Sequence, residues 1–233
     1  MKLIPIVLLI SLTVYSQNFK EVNSAQDVID NYIIANGGED NLRKIKSVKI
    51  DATMESEGVT VPLTMYVSRR YYYFYLSLTG FDFGSAVDLK NKKGWSRMAN
   101  LISDLTEENY RNTKQNAQAM MWEYYIDKDK HGISYRLLPE EEVNGTKTYV
   151  VEFIKSDEAF LTVYFDATTF HRLKQIKEGI ETTYSDYRKI SSAGLYAPYT
   201  ITSDRGVVKV NQYTLNEKFD KSLLNKPKID SED

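Results

Sequence analysis

Residue types that usually carry chemistry are scarce in this sequence. It contains no cysteine, which excludes thiol nucleophiles and Cys-ligated metals. Its two histidines, His131 and His171, lie far apart in polar segments, and solvated surface residues are a better interpretation than a metal or acid–base pair. The acids at Glu140–Glu142 lack the spaced ligands of a calcium loop. Nucleotide-binding, GxSxG and HExxH motifs are absent. We therefore expect no enzymatic activity, no cofactor and no bound metal.

The composition is that of an ordinary globular protein with balanced charge. Of 233 residues, 42% are hydrophobic, and 30 Lys and Arg oppose 32 Asp and Glu for a net charge of −2. This balance offers no electrostatic basis for binding nucleic acid. The unusual feature is the presence of 18 tyrosines. They could fill a sheet core or line a cavity for an acyl chain, and both structures require the same side chains on the same face.

The amino terminus has the form of a secretory signal. Lys2 is followed by a mainly apolar run, Leu3–Val14, which is too short to span a membrane. We predict a signal peptide over residues 1–16, cleavage before Gln17 and a single periplasmic domain at 17–233. The mature protein is expected to be a monomer.

The remaining pattern predicts a mainly β protein with helices (α+β). Ser24 is placed to begin a helix that Gly37 and Gly38 end. Two-residue alternation from Ser47 then predicts antiparallel strands, with a further helix from about Leu105 to Trp122. Apolar or aromatic residues on both faces of a strand at 71–78 indicate that both faces are covered. Two helices between strands, and charges on the polar faces, disfavour the alternative of a transmembrane barrel.

Several segments, in this order, resemble LolA-like outer-membrane lipoprotein-sorting proteins of the Bacteroidetes type. They are Tyr32–Gly38 with Leu42 and Ile45–Val48, then Lys93–Trp95, Val143–Gly145 to Tyr149–Val151, Phe165–Thr168 before Leu173–Lys174, Gly194–Pro198 and Leu224–Pro227. The resemblance covers essentially the whole mature chain. It implies a single curved antiparallel sheet, an unclosed half-barrel whose concave face is covered by helices (LolA/LolB-like), with an apolar cavity between the two.

The same resemblance implies a function in lipoprotein sorting. The protein would be a periplasmic carrier or sensor that binds lipid or lipoprotein acyl chains, with membrane-bound donor and acceptor proteins as partners. The alternative is a non-catalytic interaction or regulatory module on the same fold.

Alternation suggests which residues would line the cavity. The concave face of the early strands is expected to present Met54, Leu63, Met65, Phe74 and Trp95, because each belongs to an inward-facing set on its own strand. Met120 and Met121 would contact the ligand from the covering helix, where flexible thioether side chains adapt to irregular apolar shapes. The competing interpretation is that all seven residues are ordinary core.

Overall fold

The computed structural model describes residues 19–78, 81–192 and 194–227, so the predicted signal peptide lies outside the described residues. Four α-helices occur in this part of the chain: α1 (Ala25–Ala35), α2 (Glu39–Lys44), α3 (Glu107–Met120) and α4 (Glu123–Ile126), with 3-10 turns at Lys128–His131 and Lys221–Leu224. Among these described helices, none is long and apolar enough to cross a membrane.

The strands of the described residues form one antiparallel sheet. They are β1 (Ser47–Ser56), β2 (Val59–Ser68), β3 (Tyr71–Leu78), β4 (Phe81–Asp88), β5 (Lys93–Met98), β6 (Leu101–Asp104), β7 (Ile133–Val143), β8 (Thr146–Lys155), β9 (Glu158–Asp166), β10 (Arg172–Lys177), β11 (Ile180–Lys189), β12 (Tyr196–Ser203) and β13 (Gly206–Leu215). Each strand pairs with its sequence neighbour, except that β1 joins β13 and that β6 and β7 are the two edges. The sheet is therefore open, which confirms the predicted half-barrel.

Local sequence explains where α1 begins and ends. The Ser24 hydroxyl donates to the Asp27 carboxylate at 2.7 Å, and the backbone N–H of Asp27 donates to Ser24 Oγ at 3.3 Å. Beyond the helix, Gly37 and Gly38 take φ angles of 88° and 86°, and the Gly38 N–H donates to the Ile33 carbonyl at 2.9 Å. The predicted helix limits are confirmed.

The Asn144-Gly145 pair makes the hairpin that joins β7 to β8. Both residues have positive φ, 50° and 76°, as a two-residue turn between twisted strands requires. The turn sets the register in which Val143 lies opposite Thr146.

Helices cover one face of the sheet, here called the inner face, at two places. Over β7–β9, α1 buries Val28 and Ile29 against Phe153 and Phe165, all with 0% exposure. Over β1–β4, α2 and α3 complete a second cluster that also includes residues of β13. The middle strands, β10–β12, lie between these two clusters in the sheet order.

The opposite, outer face is covered in part by the segment that follows β13. The ring of Phe219 stacks on that of Tyr71 at 4.6 Å and contacts that of Tyr66 at 5.0 Å. Farther along, Lys226 Nζ pairs with the Asp104 carboxylate at 2.8 Å. Apolar cover on both sides explains the aromatic residues at successive positions of β3.

Candidate functional site

Four of the predicted ligand-binding residues share the inner face. Met65 lies opposite Ile50 on β1 and opposite Phe74 on β3, so the three side chains point the same way. Met54 and Leu63 belong to the same alternating sets. All of them pack in the cluster completed by α2 and α3.

Met120 and Met121, predicted to contact the ligand from the covering helix, follow one another at the end of α3, the helix here called the lid. Met121 is 1% exposed and Met120 is half-buried, and both pack on the same inner-face cluster. Within α3, only Tyr110 and Ala117 of its 14 residues are buried. The Tyr110 hydroxyl also donates to the Leu89 carbonyl at 3.0 Å. Fewer residues therefore hold α3 to the sheet than hold α1, which buries six of its own.

Trp95 does not lie on the inner face, contrary to the prediction. On β4 the inner-face residue is Val87, and it pairs with Gly94, whereas Trp95 pairs with Ala86. The indole is 2% exposed and its Nε1 donates to the Leu223 carbonyl at 2.9 Å, beneath the C-terminal segment. Trp95 therefore belongs to the outer face, and six of the seven predicted residues remain as candidates.

The inner face is not packed uniformly. Leu63 is buried, with 7% exposure, but Met54, Met65 and Phe74 are only half-buried, although they lie on the face that the helices cover. The same is true of Tyr213 on β13. Solvent therefore reaches part of this apolar surface.

Two clefts border the helices. One, of about 100 Å³, lies beside α3 and is lined by residues that include Arg69, Ala117 and Glu123. The other, of about 250 Å³, lies near α1 and Asp127. Charged side chains line both, and each is smaller than the roughly 300 Å³ at which ligand pockets begin. Neither cleft is the predicted apolar cavity.

The junction between α3 and α4 connects the lid to the rest of the molecule. Trp122 adopts a left-handed φ of 57°, which is rare for a bulky residue and breaks the helix. Its Nε1 donates to the Tyr32 hydroxyl on α1 at 3.1 Å. The next residue, Glu123, pairs with Arg69 at 3.2 Å, at the turn between β2 and β3. The end of α3 is thus tied to both helical clusters.

A cation lies on the inner face between the two clusters. Arg172, the first residue of β10, is opposite Phe165 on β9, which packs beneath α1. Its guanidinium carbon is 4.9 Å from the centre of the Tyr184 ring. Burial lowers the pKa of Arg172, but electrostatic interaction with the surrounding tyrosines, Tyr32 and Tyr125 foremost, raises it well above its usual value. Arg172 is therefore a permanent cation.

The tyrosines around this cation are neutral at physiological pH. Burial raises the pKa values of Tyr125, Tyr184 and Tyr213, although in each case the charge of Arg172 acts in the opposite direction. Neutral hydroxyls can solvate a guanidinium, but they do not balance its charge. Among the described residues, no carboxylate forms an ion pair with Arg172.

Sequence reasoning missed Arg172 because a register shift between Arg172 and Lys174 interrupts the alternation of β10. Leu173 and Ile176 pack against a small outer-face cluster that contains Val150 and Tyr164. Strict alternation would place Arg172 and Ile176 on the same face, whereas the shift leaves Arg172 opposite Phe165 on the inner face and Ile176 on the outer face.

The two histidines are held by separate contacts. His131 Nε2 lies 3.3 Å from a carboxylate oxygen of Glu123. His171 stacks on Tyr187 with the ring centres 4.4 Å apart, and burial lowers its pKa. Within the described ranges, no group of three or more His, Asp or Glu residues is placed to hold a metal ion.

The fold is shared with solved structures of low sequence identity. A DUF1329 family protein from Desulfovibrio piger superposes with a TM-score of 0.54 at 13% identity, covering 85% of this chain and 98% of that one. A LolA superfamily protein from Nitrosomonas europaea gives a TM-score of 0.52 at 12% identity, covering 88% and 99%. An outer membrane lipoprotein-sorting protein domain from Vibrio parahaemolyticus gives 0.45 at 11% identity, covering 86% and 95%. No family model and no curated protein matches the sequence. The first two superpositions show that this chain has a LolA-like fold.

Proposed function

We propose that this protein is a periplasmic carrier or sensor that binds the acyl chain of a lipid or lipoprotein between the inner face and α3. The observation that carries the proposal is the row of half-buried apolar side chains, Met54, Met65 and Phe74, beneath a helix that buries only two of its own residues. A fully packed core would bury such residues.

Binding would require α3 to move, because the two clefts beside the helices are small and polar. Separating the lid exposes Tyr110 and Met121, at a cost of about 1.5–3 kcal/mol for each large side chain. An acyl chain regains about 0.8 kcal/mol for each buried methylene. A chain of roughly ten buried methylenes therefore offsets the cost, whereas a short chain does not.

The location and partners follow from the same proposal. The apolar segment Leu3–Val14 supports export, and the LolA-like fold supports a place in lipid or lipoprotein traffic. The partners would be membrane-bound donor and acceptor proteins, and transfer would depend on relative affinity. No catalytic step is assigned.

Titration with a fluorescent long-chain fatty acid tests this function. The mature chain should enhance the probe's fluorescence in a saturable manner, and unlabelled palmitate should displace the probe while butyrate should not. Equal displacement by both acids, or no saturable binding, would refute the proposal.

A second candidate function is a protein-interaction module on the same fold. It is favoured by an exposed apolar corner near the β6 edge, where Phe81, Met98 and Leu101 are 58%, 67% and 70% exposed. In this case the protein would not bind the fatty-acid probe. It would instead copurify with a protein partner that the exchange Leu101→Asp releases, while Val59→Asp, at another exposed apolar position, would not.

A further inference from the structure

We infer that Arg172 and the tyrosines around it form a binding site for a singly charged oxyanion, such as the end group of an amphipathic acyl ligand. This inference rests on the proposed function and adds the chemistry by which one end of the ligand is recognised. The ligand class is a fatty acid, through its carboxylate, or an anionic phospholipid, through its phosphodiester.

The charge of Arg172 supports an anionic ligand. The residue is half-buried, on the inner face, and carries a cation that no carboxylate of the described residues neutralises. Taking a cation out of water is costly unless an anion or strong acceptors replace the lost hydration. A guanidinium presents a planar fork of donors that matches the two oxygens of a carboxylate or phosphodiester. The single net positive charge of Arg172 is balanced by a ligand group that carries a single negative charge.

The tyrosines supply further donors. The hydroxyl oxygen of Tyr32 accepts from Trp122 Nε1, and Tyr32 donates to no acceptor in the described part of the chain. Tyr187 instead donates to the Arg172 carbonyl at 2.6 Å, which joins β10 to β11 beneath the cation. The Tyr184 ring, 4.9 Å from the guanidinium carbon, stabilises the cation by its π face and fixes its position.

The site lies on the same face as the apolar row. Tyr213 lies opposite Ile50, and Ile50 lies opposite Met65. Burial raises the pKa of Tyr213, and the charge of Arg172 partly offsets this rise. In the sheet order, β10 and β2 are separated by five inter-strand steps, or ~24 Å along the sheet. A long acyl chain with its charged end at Arg172 would therefore run along the inner face toward Met65.

Displacement of the fluorescent probe by matched ligands tests the inference. For the unmodified mature protein, palmitate should compete at least about tenfold better than methyl palmitate, which has the same chain without the charge. The anionic headgroup is tested with lysophosphatidylglycerol against zwitterionic lysophosphatidylcholine. A preference for palmitate over methyl palmitate identifies a carboxylate as the group that Arg172 binds. A preference for lysophosphatidylglycerol over lysophosphatidylcholine identifies a phosphodiester.

Three arginine variants locate the effect. Arg172→Met should abolish the preference for the anionic ligand and leave the affinity for the neutral ligand unchanged. Arg205→Met, at an exposed position in the turn between β12 and β13, should leave both affinities unchanged. Arg172→Lys keeps the charge but not the fork, and it should retain an intermediate preference.

Three results would overturn the inference. The first is equal affinity for the anionic and neutral members of both pairs in the unmodified protein, a comparison that requires no variant to fold. The second is an equal loss of both affinities in Arg172→Met. In these two cases acyl-chain binding itself stands. The third, no binding of any ligand by the unmodified protein, refutes the proposed function and this inference together.

Discussion

Replacing Met65 by tryptophan distinguishes an inner face that a ligand can enter from a packed core. In a packed core, overfilling costs roughly 1–3 kcal/mol of unfolding free energy. Leu63 provides the matched control, since it is on the same strand and face but is 7% exposed, whereas Met65 is half-buried. We expect Leu63→Trp to be destabilised by roughly that amount, and Met65→Trp by less than about 0.5 kcal/mol.

The assay combines urea and thermal unfolding with titration of the fatty-acid probe. Each kcal/mol corresponds to roughly 2–4 °C in Tm for a domain of this size, so the packed control should lose roughly 2–12 °C. Met65→Trp should keep its Tm and lose probe binding, because the indole occupies the space of the acyl chain. Equal destabilisation of the two variants, with unchanged probe affinity in Met65→Trp, would refute the reasoning and favour a filled core.

Three further predictions address other parts of the molecule. Trp95→Phe removes the hydrogen bond to the Leu223 carbonyl, so it should lower the unfolding free energy by about 1 kcal/mol without changing the affinity for the probe. A large loss of probe affinity would instead show that Trp95 contacts the ligand. Burial raises the pKa of Asp88, but backbone N–H donors of the following turn and Arg70 hold the pKa below its usual value. Its carboxylate thus stabilises the fold above the unfolded pKa of about 3.9, and this contribution is lost as pH falls through the folded pKa. In urea titrations, Asp88→Asn should lower the unfolding free energy by about 1–2 kcal/mol at pH 7 and by progressively less below about pH 4. A loss that does not depend on pH would show that the charge of Asp88 is not its cause. Ser24→Ala removes the N-terminal cap of α1 and should lower the unfolding free energy by about 1 kcal/mol, measured by thermal unfolding. An unchanged Tm would contradict this prediction.

Features decided by neighbouring residues could be predicted from the sequence. The cap at Ser24, the glycines after α1 and the Asn144-Gly145 turn all depend on groups within a few residues, and all are present. Alternation also identified Met54, Leu63, Met65 and Phe74 as members of one face, because the side-chain period of a strand is independent of its partners.

Features decided by distant partners could not be predicted in this way. The face to which Trp95 belongs depends on the register between β4 and β5 and on the C-terminal segment that covers it. Arg172 faces inward, although Ile176 faces outward, because the pairing of β10 with β9 shifts register between Arg172 and Lys174. The two-residue period of a strand divides its side chains into two sets, but it does not determine which set the helices cover.

Native mass spectrometry of the mature protein tests the central claim, acyl-chain binding, most directly. The protein would be purified without detergent, incubated with vesicles of its own host's lipids and separated from them before measurement. We expect a population heavier than the bare chain by the mass of one lipid, with release of that lipid on denaturation and loss of the heavier population in Met65→Trp. A single population at the mass of the bare chain, after the same incubation, would contradict the account.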